Sequence, residues 1–301
     1  MRNSVKGSLA LAVSRVTAGL NINVTKFLIP LWIAPLQMVT LRLLFGTLFF
    51  WVLAIFDKPD LSTRADRVKL VLLGAFAVFG YMSLAAFGIS FTTPVNFAIF
   101  NATQPMWVFL FSVLWRSEKV SFVKVAGIAV GFAGVVATLF AEPDAGLARH
   151  PALGNLFALT AAVVYAVYLL TSSSLLARVP NLVMLRYTFL GATVPAVLLS
   201  LFTGFDAPLF AHPDASALSA VAFVLLFPTA ISYILIPIGL KYLKTTLVAM
   251  YGYLSLAVAA VASLLVGQDK LDAMLAVALL LICAGIYMVN FAERGSRRNV
   301  K

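Results

Sequence analysis

Apolar runs long enough to cross a bilayer recur from one end of this chain to the other, and no other feature limits its folding so strongly. A membrane-spanning helix needs about 20 mostly apolar residues. Runs of that kind fall at 7–27, 34–56, 68–88, 94–114, 121–140, 153–175, 180–203, 216–240, 245–266 and 272–292. They lack period-two alternation and are too long for barrel strands, so helices are predicted. With 62% hydrophobic and 11% charged residues, and a mean hydropathy of +1.01, a soluble domain would lack polar surface. The first run follows Arg2 and Lys6, but Arg15, Asn21 and Asn23 interrupt it. It is read as a retained helix, not a cleaved leader.

The net charge of +11 would suit a polyanion partner, yet its distribution points elsewhere. If the N-terminus lies in the cytoplasm and the spans alternate, the inner segments hold Arg2, Lys6, Lys58, Arg64, Arg67, Lys69, Arg116, Lys119, Lys124, Arg178, Lys241, Lys244, Arg294, Arg297, Arg298 and Lys301. The outer segments hold only Arg149 and Lys270. This asymmetry predicts an inner-membrane, multi-pass protein with both termini cytoplasmic, facing lipid and not nucleic acid. Cys283 is the single cysteine, so no internal disulfide can form, and it is expected to be a small buried side chain. Nothing in the sequence sets an oligomeric state.

The stretch from Gly88 to Gly134 matches the stretch 151 residues later. Gly88 meets Gly239, Phe91 meets Tyr242, Ser112 meets Ser263 and Gly134 meets Gly285. Glu118-Lys119-Val120 meets Asp269-Lys270-Leu271. The predicted fold is therefore an all-α membrane protein whose ten transmembrane helices form two inverted five-helix repeats, 1–140 and 152–292, with a basic tail at 293–301. Five spans per repeat is an odd number, so the second repeat enters the membrane upside down. Such repeats commonly hold a substrate site near the midplane.

The segment TTPVNFAIFNATQPMWVFLFSVLWRSEKVSFVKVAGIAVGFAG, with Pro105, Glu118, Gly127 and Gly134, resembles the EamA branch of the drug/metabolite transporter superfamily. Arg42 and Arg186, early in the second span of each half, fit the same pattern. The resemblance implies ten helices and metabolite transport, usually export. Leu256, Asp269 and Ala278 depart from the pattern in the second half, which weakens any scheme built on paired proline kinks.

Besides Lys69 and Lys124 at cytoplasmic span ends, four basic residues fall within the spans: Arg15, Lys26, Arg42 and Arg186. No acidic residue lies mid-span, so internal ion pairs are not expected to balance them. Ionisable groups in lipid usually face a cavity or a partner. Arg15, Gly19, Asn23 and Lys26 fall within an arc of about 80° on one helix. That stripe is either a cavity wall attracting an anionic or zwitterionic group, or packing surface with its ends reaching water. Lys26, near the outer end, is expected to snorkel.

In the fourth span Thr93, Asn96, Phe100, Gln104 and Trp107 share a face, with Asn101 at its rim, and Pro105 predicts a kink. Tyr251 and Ser255 occupy the equivalent face of the ninth span. Tyr165, Tyr168 and Tyr233 are further candidates for a lining. Arg42, Pro105, Arg186, Pro228 and Pro237 are candidate structural or gating positions, and Pro195 adds a possible bend. Gly127, Gly131 and Gly134 mark packing surface.

The function expected is carriage of a small organic metabolite across the inner membrane by alternating access. A lipid or lipid-linked sugar flippase is the alternative, and a membrane-embedded enzyme ranks below both. His150 and His212 both lie in outer loops, and no HExxH, GxSxG or P-loop motif is present. No catalytic residue, metal or cofactor is therefore expected. Without a titratable Asp, Glu or His in the path, facilitated diffusion or exchange is expected in place of proton coupling.

Overall fold

The structure, a computed structural model, describes residues 2–29, 31–57, 60–115, 121–137, 149–268 and 273–298. Lys58, Arg116, Lys301 and both halves of the Glu118–Val120 and Asp269–Leu271 match lie outside the described residues.

Every regular element among the described residues is helical. Seven helices are long and apolar enough to cross a membrane: α2 (Pro35–Ile55), α3 (Arg64–Phe91), α4 (Pro94–Leu114), α6 (Pro151–Leu175), α7 (Asn181–Thr203), α8 (Ala215–Tyr242) and α9 (Thr245–Val266). The described residues also form the helices α1 (Arg2–Leu28), α5 (Phe122–Ala137) and α10 (Ala273–Arg298), with one short helical turn at Pro208–Ala211. Large apolar side chains point away from the molecule; Phe202 is 85% exposed and Phe76 76% exposed. In water that surface would drive aggregation, whereas in lipid it is at home.

Local chemistry sets many helix ends. Prolines open α2, α4 and α6, where a missing N–H costs nothing. The Thr63, Thr93 and Asp214 side chains accept hydrogen bonds from Asp66, Asn96 and Ala217 N–H groups to cap α3, α4 and α8. Gly267, at φ +71°, ends α9 in the left-handed conformation.

The repeat extends well beyond the stretch compared in the sequence. Helix starts at Arg64 and Pro94 recur at Ala215 and Thr245, each 151 positions on. A π-helical turn beginning at Gly74 in α3 recurs at Leu225 in α8. The packing has the same symmetry. The α3–α6 contact is mirrored by α8–α1 and the α1–α9 contact by α6–α4, while α2–α7, α4–α9 and α5–α10 pair with their own counterparts.

Small and hydroxylated residues hold these pairs, as expected where lipid gives helices little hydrophobic reason to associate. Thr40 and Thr47 of α2 bond Ser200 and Thr193 of α7, each at 2.7 Å. A Cβ on Gly74 would lie 1.9 Å from the Thr188 carbonyl oxygen, and one on Gly191 2.0 Å from that of Val71. Only glycine at both places lets the α3 and α7 backbones meet. Gly285 packs on Gly127 and Gly131, so α5 meets α10 within one chain. Cys283 is exposed, contrary to the buried position expected, because it faces away from that contact.

Candidate functional site

A central cavity of about 70 Å³ lies where α1, α2, α3, α4, α6, α8 and α9 converge. At about 30 Å³ per water it holds roughly two waters, so the chamber is small. Its polar wall includes Ser14, Arg15, Asn21 and Thr25 from α1, Arg42 from α2 and Tyr81 from α3. Asn101, Tyr165, Ser232, Tyr233 and Ser255 complete it.

Arg15 is 95% buried by exposure (5% relative surface). Its guanidinium lies 5.5 Å from the Tyr165 ring centroid, and Nη2 donates to the Tyr165 hydroxyl at 3.4 Å. Its Nε finds no acceptor among the described residues. Tyr165 in turn packs on Tyr81 at 4.6 Å and Tyr168 at 5.6 Å, and Tyr168 on Tyr233 at 6.4 Å. A ladder of four phenol rings therefore backs the cationic wall.

Arg42 is held by a defect in α8. Pro228 has no N–H to give the Val224 carbonyl, so the helix widens into its π-turn. The Thr229 hydroxyl donates to that carbonyl at 2.8 Å and accepts from Arg42 Nε at 2.9 Å. Pro228 is thus part of the cavity wall and the seat of Arg42. Pro237, by contrast, is buried in unbroken helix outside the lining.

The interruption expected at Pro105 is present. Regular helix lapses at Ala102 and Thr103 and resumes at Gln104. The Thr103 hydroxyl donates to the Phe100 carbonyl at 2.7 Å and accepts from Trp107 Nε1 at 3.1 Å. Gln104 donates to Asn101 Oδ1 at 2.8 Å, steering the one cavity-lining amide of this helix. Phe100 and Trp107 pack in apolar clusters, and Asn96 lies at the first turn beside its Thr93 cap. Tyr251 sits at the break in α9, packed on the core, and Tyr168 lies behind Tyr165. Of the candidate binding residues, Arg15, Asn101, Tyr165 and Ser255 reach the cavity; the others do not.

On α1 the face differs from the stripe expected. Asn21 and Thr25 line the chamber, while Asn23 turns to α9 and donates to the Ala259 carbonyl at 3.1 Å. Gly19 lies against α9 as well, where a Cβ would stand 2.6 Å from the Ser255 carbonyl oxygen. Arg15 sits at the shared edge of the two faces. Lys26 reaches the end of a neighbouring helix. It donates to the Ile89 and Thr92 carbonyls at 3.1 and 2.7 Å, countering the negative end of α3.

Arg186 also has a partner that the sequence did not lead one to expect. Asp60, in the α2–α3 connection, pairs with Arg186 and with Arg67. It also accepts from the Tyr187 hydroxyl at 3.1 Å, while Trp51 and Tyr187 rings flank the Arg186 guanidinium at 5.3 and 5.0 Å. The expectation of unbalanced charge fails here because Arg186 is only five residues past the start of α7, within reach of a loop carboxylate. Burial would raise the Asp60 pKa, but hydrogen bonds from Ser62, then Arg186 and Tyr187, outweigh it and hold the carboxyl at about 2.

Tyr81, Ser14 and Asn21 went unread as lining residues. Extending the 151-residue register back into α3 sets Tyr81–Met82 opposite Ser232–Tyr233, and all four line the cavity. That extension was the signal.

With the site in view, comparison with known proteins decides the family. The description of the EamA-like transporter family matches residues 5–140 and 152–291, one match in each half. The chain belongs to that family. It is 23% identical to an uncharacterised transporter of Archaeoglobus fulgidus, over 77% of this chain and 78% of that one. It is 26% identical to the uncharacterised transporter YvbV of Bacillus subtilis, over 87% and 85% of the two chains. A chain known from a crystal structure superposes with a TM-score of 0.69 at 20% identity, covering 97% of this chain and 98% of that one; it shares the fold. This EamA-like protein is a multi-pass membrane transporter.

Proposed function

We propose that this EamA-like protein carries a small organic metabolite across the inner membrane by alternating access. All ten helices cross the bilayer, the two repeats stand inverted, and both termini face the cytoplasm. The 151-residue register in helix starts and π-turns supports two related halves. Contacts at opposite ends of α1 support the alternation: Gly7 adjoins Tyr242 and Leu243, while Lys26 bonds the end of α3.

One observation carries the reading: the polar cavity is walled by helices of both repeats, so rocking one against the other would open it to either side. A chamber of about 70 Å³ admits an organic molecule only when it expands, as such motion requires. No Asp, Glu or His lines it among the described residues, which favours facilitated movement or exchange over proton coupling.

Metabolite pools inside and outside cells overproducing the protein test this. Wild type should shift at least one pool, and Ala18→Trp, which fills the chamber, should not. No shift for any metabolite with the wild type present in the membrane would refute the reading.

A further inference from the structure

Building on the carrier reading, we infer that the central cavity selects a compact organic anion carrying two negative charges, with its oxygens shared between Arg15 and Arg42. The inference comes from charge balance inside a low-dielectric wall. Arg15 and Arg42 both line one small chamber, and no Asp or Glu does so among the described residues. A buried charge is tolerated when paired. Arg186 meets that condition through Asp60, and Lys26 lies against helix-terminal carbonyls. Among the described residues Arg15 and Arg42 hydrogen-bond only to neutral groups, the Tyr165 and Thr229 hydroxyls.

The donors are also set for an incoming acceptor. Arg15 Nε is buried and unbonded among the described residues, and Thr229 fixes Arg42 through its own Nε. That leaves the Arg42 terminal nitrogens as the part of the group available to a ligand. A guanidinium presents planar paired donors that suit carboxylate or phosphate oxygens. Asn101, Ser14 and Ser232 add neutral hydrogen-bonding groups, and the Tyr81 and Tyr165 rings border the same space. A cation entering here would meet two like charges, and a neutral solute would leave both uncompensated.

The two obvious carriers of such charge, a phosphate group and a pair of carboxylates, share this chemistry. Purified protein in lipid nanodiscs, titrated with inorganic phosphate, succinate or neutral glycerol at constant ionic strength, distinguishes them by thermal unfolding. Phosphate or succinate should raise the midpoint saturably by about 2–5 °C, and glycerol should not. Whichever anion stabilises more names the source. Arg15→Gln and Arg42→Gln should each abolish the shift, Arg15→Lys should retain part of it, and Arg186→Gln, away from the cavity, should keep it whole. If either Gln variant fails to fold, Arg15→Lys and Arg42→Lys carry the test through their lower apparent affinity. No saturable shift with either anion, or the same shift in the folded cavity variants as in wild type, overturns the inference. A protein that moves a metabolite in the pool comparison yet ignores both anions leaves the carrier reading standing and removes this one.

Discussion

Arg42 and Arg186 occupy related places early in α2 and α7, yet they live in different chemistry. Arg186 lies five residues past Asn181 and pairs with Asp60 between two aromatic rings. Arg42 lies seven residues past Pro35, faces the central cavity and leans on the Thr229 hydroxyl. Two extra residues carry a side chain about 3 Å deeper and about 200° around the helix. That difference is enough to exchange a loop carboxylate for a chamber. The lesson is that a repeat copies backbone more faithfully than charge: one arginine pairs with a loop carboxylate, while its counterpart faces the cavity.

The largest expected effect separates those two roles. Arg42→Gln should reduce transport at least about tenfold per folded molecule, as expected when a buried charge contact is removed. Arg186→Gln should leave transport per folded molecule within about threefold. Equal losses, measured in vesicles at matched protein content, would erase the distinction.

Stability should divide the other way. Asp60→Asn should cost about 1–3 kcal/mol, below the range for a fully buried pair because this cluster borders water. A double-mutant cycle of Asp60→Asn with Arg186→Gln should show strong coupling; additive losses in denaturation would mean the pair contributes little.

Thr229→Val tests the seat of Arg42. It strands the Val224 carbonyl and Arg42 Nε together, so a loss of about 1–2 kcal/mol is expected, with weaker anion stabilisation. Unfolding midpoints with and without phosphate would read both.

The smallest effect is a pH dependence. Asp60 titrates at about 2 in the fold and near 4 when unfolded. Its contribution is therefore complete above the unfolded value and lost as pH falls through the folded one. The midpoint gap between wild type and Asp60→Asn should hold steady above pH ~5 and close toward pH ~2. A gap independent of pH would show that Asp60 acts through shape alone.

The helices were legible because lipid demands long apolar runs, and the break at Pro105 because proline removes a donor. Arg15 and Tyr165 could be placed in one lining since polar groups on apolar helices need partners. The α1 face was misjudged because 100° per residue fixes relative angles and not which neighbour each side meets. Asn23 and Asn21 are 200° apart, and only packing against α9 shows which one turns inward. Asp60 was missed because a loop carries no periodicity to say where its carboxylate lands. Arg42's seat depended on a π-turn, which shifts the register that sequence spacing assumes.

The most direct test of a chamber shared by both repeats is accessibility at Ala18. With Cys283 replaced by serine and Ala18 by cysteine, a membrane-impermeant thiol reagent is applied from each face of oriented vesicles. Alternating access predicts reaction from both faces, slowed from both by whichever anion stabilises the protein. Reaction from neither face, or from one face only, in correctly folded protein would contradict it.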